Sequence, residues 1–398
     1  MKRRTIVYVA TAVVAASVAF AFVACSDTSA PPANDTLAAS LAKGGSANRV
    51  KSISVSPSSA TVAVGSTVQL TATANPPGSV TTFTWTSSNN AVATVSTSGL
   101  VTGVAAGAAT ISAAGGGKTG RSTITVPTPP PPPGSEVLIG AGDIAVCGST
   151  GDDATSNILV STVGTVFTLG DNAYPNGSAT DYANCYDGSW GRVKVRTMPT
   201  PGNHEYQTAG ASGYFGYFGS TAGDPSKGYY SYDLGAWHIV VLNSNSACTT
   251  ISCSATSAQV QWLKADLAAN TKSCTLAYWH HPRFVSSASG GSTNVAKFWD
   301  ALYAAGAEVV LGGNQHVYER FAPQTPSQQA SATGIVEFVV GTGGKSHGKF
   351  STIQSNSEVR NASAYGVLAL TLHPTSYDWQ FISEAGQTFS DSGSIACH

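Results

Sequence analysis

The 398-residue chain is expected to hold two folds, an all-β sandwich followed by an α/β sandwich whose functional site lies at strand ends. Three features of the sequence predict this. Short runs of alternating apolar and polar residues recur from Val50 to Val126, separated by Gly, Pro, Ser and Asn, as in a sandwich of short strands. From Val137 onward, apolar strand-like runs are interleaved with stretches of helical periodicity. Between the two, Pro127-Thr128-Pro129-Pro130-Pro131-Pro132-Pro133-Gly134 cannot join a sheet and reads as an extended polyproline II linker.

The N-terminus has the form of an export signal, with Lys2-Arg3-Arg4 before a nearly unbroken apolar stretch from Thr5 to Val23 that ends at Ala24-Cys25. Small residues before a lone Cys, followed by a Ser/Thr/Ala/Pro-rich run, resemble the lipobox of bacterial lipoproteins. That resemblance makes Cys25 the lipidated first residue and a membrane anchor, although Phe22 departs from the usual Leu. An ordinary cleaved signal or an uncleaved anchor are the alternatives, and all three place the protein outside the cytoplasm, as a periplasmic, cell-surface or secreted species. Residues 26–48 carry too little apolar surface to fold and read as a tether. Only 10% of residues are charged and the formal net charge is -1, so there is no basic surface of the kind that holds nucleic acid polymers.

In residues 49–126 the strand candidates include Val62-Ala63-Val64, Val68 to Thr73, Phe83-Thr84-Trp85, Ala93-Thr94-Val95 and Ala109 to Ser112. Ile53-Ser54-Val55-Ser56-Pro57, Gly65 before Val68-Gln69-Leu70, Trp85-Thr86-Ser87-Ser88-Asn89, Val92-Ala93-Thr94-Val95 and Gly99-Leu100-Val101-Thr102-Gly103 resemble the bacterial Ig-like group 2 domain. With no cysteine here, packing around Trp85 is expected to stand in for an inter-sheet disulfide. The resemblance implies a cell-surface or polymer-contact setting. No ligand constellation is present, so the segment is read as a spacer, with a cell-surface polymer as a possible partner.

After the linker at 127–135, residues 136–398 are expected to form the second unit. Strands are predicted at Val137 to Ile139, Val166 to Leu169, the hairpin-like pair Tyr229 to Leu234 and Trp237 to Leu242, Thr275 to Trp279, Glu308 to Leu311, Ile335 to Val340, Val367 to Leu372 and Tyr377 to Ile382. Helices are predicted near Ala255 to Ala269, where Val260, Leu263 and Leu267 share a face, and near Val295 to Ala305. Six cysteines remain after Cys25, an even number that in an exported chain favours disulfides but allows 15 connectivities. The pairings expected are Cys248 with Cys253, Cys147 with Cys185, and Cys274 with Cys397.

Five polar motifs follow predicted strands in order: Asp143, Gly170-Asp171-Asn172-Ala173-Tyr174, Gly202-Asn203-His204-Glu205, His280-His281-Pro282 and His316-Val317-Tyr318-Glu319-Arg320. Hard oxygen donors with imidazole suit a pair of ions such as iron with zinc or manganese. Such a pair clamps a phosphate and generates a hydroxide nucleophile at neutral pH, which predicts a metal-dependent phosphoester hydrolase. Singly, each motif also reads as an ordinary turn or core residue; the ordered set carries the inference.

Together these motifs resemble the metallophosphoesterase superfamily, in its purple-acid-phosphatase-like secreted bacterial branch. The resemblance implies a four-layer α/β/β/α sandwich and a small phosphoester substrate, monoesters before diesters. It implies a first ion held by Asp143, Asp171, Tyr174 and His316, and a second held by Asp171, Asn203 and His280, with Asp171 bridging. Tyr174 as a phenolate would favour ferric iron, with Zn, Mn or Fe as the second ion. His204 would assist the leaving oxygen or stabilise transition-state charge, Asn203 would position phosphate, and His281 would contact substrate or support the ligands. Glu205 and the Tyr318-Glu319-Arg320 run are expected to brace loops, and Gly341-Thr342-Gly343-Gly344 to allow close packing near the metals. The pattern departs at Gly313-Asn314-Gln315-His316, where Asn314 replaces the expected second-ion histidine and, as a neutral and weaker donor, lowers affinity there. A degenerate metal-binding or adhesion protein, or a phosphodiesterase or nucleotidase of the same fold, are the rival readings.

Overall fold

The computed structural model describes residues 49–127, 133–245 and 247–398. The export signal, the tether and most of the proline run lie outside the described residues. Among those described, no helix is long and apolar enough to cross a membrane.

Residues 52–126 form nine strands in sheets of four, three and two. Their core is built from small and branched side chains, Leu70, Ala93, Val101, Ile111, Ala113 and Ile124, all nearly inaccessible to water. Trp85 packs against this core but stays partly exposed. The predicted run Val68 to Thr73 is two strands, Thr67–Gln69 and Thr71–Asn75, because its partner changes at Leu70, from Leu100–Gly103 to Ser52–Ser56. Val62-Ala63-Val64 is extended but forms no strand, keeping a single bridge from Val64 to Gly103.

From Glu136 on, the chain forms two sheets. The six-stranded sheet runs in the order Thr197–Met198, Thr165–Thr168, Glu136–Ala141, Gly366–Leu372, Ser376–Ser383, Ser392–Ala396. The first three strands are parallel to one another and the rest antiparallel. The seven-stranded sheet runs Tyr230–Leu234, Trp237–Val241, Cys274–Tyr278, Val309–Gly312, Val336–Val340, Tyr318–Phe321, Ser357–Asn361, with four parallel strands at its centre.

Side-chain alternation shows how the layers stack. Along Cys274–Tyr278, Leu276 and Tyr278 enter one core and Ala277 a second; along Val336–Val340, Phe338 and Val340 enter the first and Val339 the second. The first core lies between the sheets, since it also contains Leu138, Phe167 and Leu370 of the six-stranded sheet. The second contains Val260 and Leu263 of the helix Ala258–Ala269 and Phe298 and Trp299 of the helix Ala296–Ala304. A strand buried on both faces is mostly apolar, and these segments were legible as strands although Thr275 and Glu337 interrupt them.

The helix Gly151–Ser161 was not expected: its Thr, Ser, Asn and paired Asp residues give it little apolar periodicity. The segment 179–222 was likewise unassigned and folds as a series of short helical turns around Tyr182, Tyr186, Tyr214 and Phe218. The strands Tyr318–Phe321, Ser357–Asn361 and Ser392–Ala396 were also missed; the last two are short, polar and at sheet edges. The three disulfides are Cys147–Cys185, Cys248–Cys253 and Cys274–Cys397, as expected.

His238, on an inner strand, is clamped between two carboxylates, Nδ1 to Asp233 at 3.0 Å and Nε2 to Asp266 at 2.8 Å. Lys272 balances Asp233, and Ser231 donates to Asp266. Burial acts to lower the imidazole pKa, but the hydrogen bonds and charges of Asp266 and Asp233 outweigh it and the net direction is upward from 6.5. The stability this contributes is therefore complete below the unfolded value of 6.5 and lost as pH rises through the higher folded value. Asp233 is half exposed and adds little, so the Asp266 contact sets the scale at about 1.5–3 kcal/mol. His238→Gln should accordingly lower the urea midpoint at pH 5.5 and have a much smaller effect at pH 9.

Candidate metal centre

All the ligand-type residues sit just past the carboxyl ends of parallel strands, where the two sheets open toward the same face. Asp143 follows Glu136–Ala141, Asp171 follows Thr165–Thr168, Asn203 follows Thr197–Met198, His280 follows Cys274–Tyr278, and Asn314 and His316 follow Val309–Gly312. Ligands commonly gather at this end of parallel sheets. The backbone there is bent hard: Asp143, Asp171, Asn314 and His316 all have positive φ, at 58°, 49°, 67° and 50°. Non-glycine residues hold this conformation at a cost of about 1–3 kcal/mol each, and four such positions in one cluster mark a functional site. Two glycines allow the close approach. A Cβ on Gly170 would stand 2.8 Å from that of His280, and one on Gly341 would stand 2.7 Å from Asp143 Oδ2. The Gly-rich loop after Val336–Val340 is thus explained by close packing.

The side chains converge as two sets that share one carboxylate. In the first, the Tyr174 hydroxyl lies 3.1 Å from Asp143 Oδ1, 3.1 Å from Asp171 Oδ2 and 3.3 Å from His316 Nε2. In the second, His280 Nε2 lies 3.3 Å from the same Asp171 Oδ2 and 3.1 Å from Asn203 Oδ1. Ligand atoms of Asp143, Asp171 and His280 all fall within 4.8 Å of one another. Both imidazoles are held from behind, His280 Nδ1 by the Leu169 carbonyl at 2.6 Å and His316 Nδ1 by Ser346 Oγ at 2.7 Å. Such backing fixes the ring and leaves Nε2 as the ligand atom.

The electrostatics call for positive charge. Asp143 and Asp171 are buried with only 0% and 2% exposure. Burial opposes ionisation of Asp171, yet the charge and hydrogen bond of His280 carry its pKa well below the usual carboxylate range. Burial likewise opposes a charged His280, and Asp171 and Asp143 outweigh it, raising the imidazole to about 10; His316 moves up for the same reasons. Two buried carboxylates, a phenol, an amide oxygen and two oriented imidazoles are a donor set suited to hard and borderline ions, so these residues fit a metal pair.

His204 lies at the open side. Its N–H on the main chain donates to Asp171 Oδ1 at 2.9 Å, its Nδ1 meets the Pro175 carbonyl, and its Nε2 is 3.8 Å from Asp171 Oδ2. The ring leans on Tyr174 with centroids 4.4 Å apart. His281 packs edge-on against His280 with centroids 4.8 Å apart; its Nδ1 pairs with Ser244 Oγ at 2.9 Å, and burial with the His280 charge beside it lowers its pKa to about 3. Asn314 is placed beside Asp143, donating its backbone N–H to Oδ2 at 2.7 Å.

Glu205 is the organiser of the loops. Its Oε2 accepts from the N–H groups of Asp171 (2.9 Å) and Gly202 (2.7 Å), and its Oε1 from those of Asn172 (2.8 Å) and Ala173 (3.4 Å) and from the Tyr182 hydroxyl (3.2 Å). Further out, Glu319 accepts from Ser286, Arg320 pairs with Asp391 and Glu358, and Tyr318 donates to Asp391, which is the bracing expected of this run. Two nearby residues were missed. Ser346 holds His316, and Lys345 places its ammonium 4.9 Å from the Tyr174 ring centroid while its backbone N–H donates to Asp143. The signal available for them was their place just past a strand, after the glycine run Gly341-Thr342-Gly343-Gly344.

Comparison with known proteins agrees with this geometry. Residues 49–126 match the family model for the bacterial Ig-like domain (group 2). Among curated relatives, purple acid phosphatase 15 of Arabidopsis thaliana is 28% identical over 245 residues, covering 51% of this chain and 45% of the relative. Purple acid phosphatase 22 of the same plant is 32% identical over 127 residues, covering 30% of this chain and 28% of the relative. The chain thus spans less than half the length of these relatives. Among solved structures, the purple acid phosphatase PPD1 from yellow lupin seeds superposes with a TM-score of 0.54 at 16% identity, over 83% of this chain and 67% of that one. GAP50, the anchor in the inner membrane complex of Plasmodium, superposes at 0.51 with 12% identity, over 66% of this chain and 89% of that one. The chain therefore carries an N-terminal bacterial Ig-like domain and a metallophosphoesterase-like fold.

Proposed function

We propose that this chain is an exported, metal-dependent phosphoester hydrolase acting on small phosphate monoesters through a dinuclear centre. The observation that carries the reading is the position of Asp171 Oδ2, 3.1 Å from the Tyr174 hydroxyl and 3.3 Å from His280 Nε2, so that one carboxylate oxygen serves both donor sets. Asp143, Asp171, Tyr174 and His316 would hold the first ion, iron by the phenol donor. Asp171, Asn203 and His280 would hold the second, Zn, Mn or Fe, with Asn314 contributing its amide. When bound, the pair supplies Lewis acidity and, from water, a nucleophile at neutral pH.

The chain's own groups supply the rest. Asn203 is placed to orient the phosphate. His204, its Nδ1–H engaged by the Pro175 carbonyl, presents Nε2 to the open side, where it can pass a proton to the departing alcohol. Lys345 has no carboxylate within ion-pair distance among the described residues and adds positive charge at the rim, which favours an anionic substrate. The four-layer α/β/β/α arrangement is supported by the two cores on either side of the seven-stranded sheet. Division into 49–126, a linker at 127–135 and 136–398 follows the family match and the change of sheet. Three disulfides support an oxidising setting outside the cytoplasm, with lipidation at Cys25 as the anchor and the Ig-like domain as a spacer able to meet a surface polymer.

A second reading is favoured by Asn314: with a weaker donor at the second ion, the fold would serve as a metal-binding surface protein, and a similar fold is found in an anchor protein. The test is turnover of p-nitrophenyl phosphate and bis-p-nitrophenyl phosphate by the metal-stripped full chain after addition of iron, zinc, manganese or magnesium. Recovery of monoester turnover above diester turnover is expected, and Asn314→His should lower the metal concentration needed for half-maximal rate. No turnover with any metal would favour the second reading.

A further inference from the structure

Lys345 brings to the metal centre a positive charge that neither donor set uses. It follows the run Gly341-Thr342-Gly343-Gly344 and is fixed from two sides. Its backbone N–H donates to the Asp143 carbonyl at 3.0 Å, and the next residue, Ser346, meets His316 Nδ1 at 2.7 Å. The side chain is half-buried, and its ammonium stands 4.9 Å from the centroid of the Tyr174 ring, on which the His204 ring also leans.

An aromatic face attracts an ammonium but takes none of its three N–H donors in a conventional hydrogen bond. Among the described residues, no hydrogen bond or ion pair engages the Lys345 ammonium. Nor does any other Lys or Arg side chain there make a hydrogen bond, ion pair or ring contact with a ligand-type residue. The donors of Lys345 are therefore the cationic group left for an anion that enters beside Tyr174 and His204.

Resting on the hydrolase reading above, we propose that Lys345 is the residue that selects phosphate monoesters over diesters. A monoester near neutral pH carries up to two negative charges and three non-bridging oxygens, whereas a diester carries one charge and two such oxygens. The extra anionic oxygen is the acceptor that Lys345 takes. In a diester that oxygen carries a carbon substituent, which makes it a poor acceptor and crowds the ammonium. Charge-assisted hydrogen bonds are the strong ones, so one contact of this kind is enough to separate the two ester classes.

The experiment compares the unaltered full chain with Lys345→Gln and Lys345→Arg, each reloaded with iron and zinc and checked for metal content. Turnover is read as kcat/KM for p-nitrophenyl phosphate and bis-p-nitrophenyl phosphate. Binding is read separately by calorimetry, with inorganic phosphate and with dimethyl phosphate. Lys345→Gln should lower the monoester kcat/KM and the inorganic phosphate affinity by about 10–100-fold, and the diester kcat/KM and dimethyl phosphate affinity by less than about threefold. Metal content should stay the same, because glutamine keeps the backbone N–H that the Asp143 carbonyl accepts. Lys345→Arg keeps the charge and should keep the monoester preference. The proposal is overturned if Lys345→Gln costs both ester classes equally or lowers metal content, either of which would make Lys345 a support for the loop. It is also overturned if the preference survives Lys345→Gln or is lost in Lys345→Arg. An unaltered chain that turns over neither ester contradicts the hydrolase reading instead, and the phosphate titrations then decide the role of Lys345.

Discussion

Asp171→Ala is expected to leave a folded chain that has lost phosphate monoester turnover by about a thousandfold or more, since the charge stabilisation supplied by a metal pair is worth several kcal/mol. Asp171 Oδ2 is in contact range of both donor sets, 3.1 Å from the Tyr174 hydroxyl and 3.3 Å from His280 Nε2. Its Oδ1 also orients His204 by accepting from that residue's backbone N–H at 2.9 Å. A single truncation therefore loosens both ions and the proton donor together. Asp171 lies outside the apolar core between the sheets, so circular dichroism should stay native-like, with a lower melting temperature from alanine at φ 49° and from the loss of the His280 and His204 contacts, while steady-state rates with p-nitrophenyl phosphate fall to background. Asn203→Ala, which touches one set only, should be milder and should be partly rescued by higher metal concentration.

Glu205→Gln is the second large effect, although Glu205 touches neither substrate nor metal in this account. Five donors converge on its two oxygens, from Asp171, Gly202, Asn172, Ala173 and Tyr182. Burial and the Asp171 charge push the carboxyl pKa up, while the Gly202 and Asn172 N–H groups pull it down. A glutamine keeps one acceptor oxygen and turns an NH₂ toward N–H groups, leaving at least two buried donors unpaired at about 1–3 kcal/mol each. The turn that places Asp171 and the turn that precedes Asn203 then lose their common tie. Metal affinity should drop by about 10–100-fold, the range for groups that orient ligands. The chain should also melt several degrees lower in both the presence and absence of metal. A drop in metal affinity with an unchanged melting temperature would mean that Glu205 acts on the ions more directly than its geometry shows.

Most of the strands that position the site were readable because they are short apolar runs buried on both faces, as Val309–Gly312 is, whereas Thr197–Met198 is too short to be read. The ligand set was readable because its members stand in ordered motifs, most of them just past such a strand, with Asn203 the exception, after the two-residue strand Thr197–Met198. The structure gathers Asp143, Asp171, Tyr174, Asn203, His280 and His316 in one place, with His204 at the open side. His281, beside His280, pairs through Nδ1 with Ser244, and Asn314 meets Asp143 through its backbone N–H. What could not be read shares a different physics. The helix Gly151–Ser161 and the turns of 179–222 take their order from tertiary contacts, such as the Trp190 indole donating to Thr155 at 2.9 Å, and not from their own periodicity. The hydrogen bonds that orient the ligands, His280 to Leu169 and His316 with Ser346, involve a backbone carbonyl and a serine that carry no motif of their own. In the Ig-like domain, what reads as one strand is two, because the run exchanges one partner strand for another at Leu70, which local alternation does not record.

Metal content is the most direct check on the central claim that two donor sets share Asp171. The full chain, stripped with chelator, reloaded with iron and zinc or manganese and freed of excess metal, would be measured by elemental analysis per mole of protein. Two ions per chain, falling to one or none in Asp171→Ala, is the result this account predicts. One ion or none in the unaltered chain, whatever metals are offered, would contradict it.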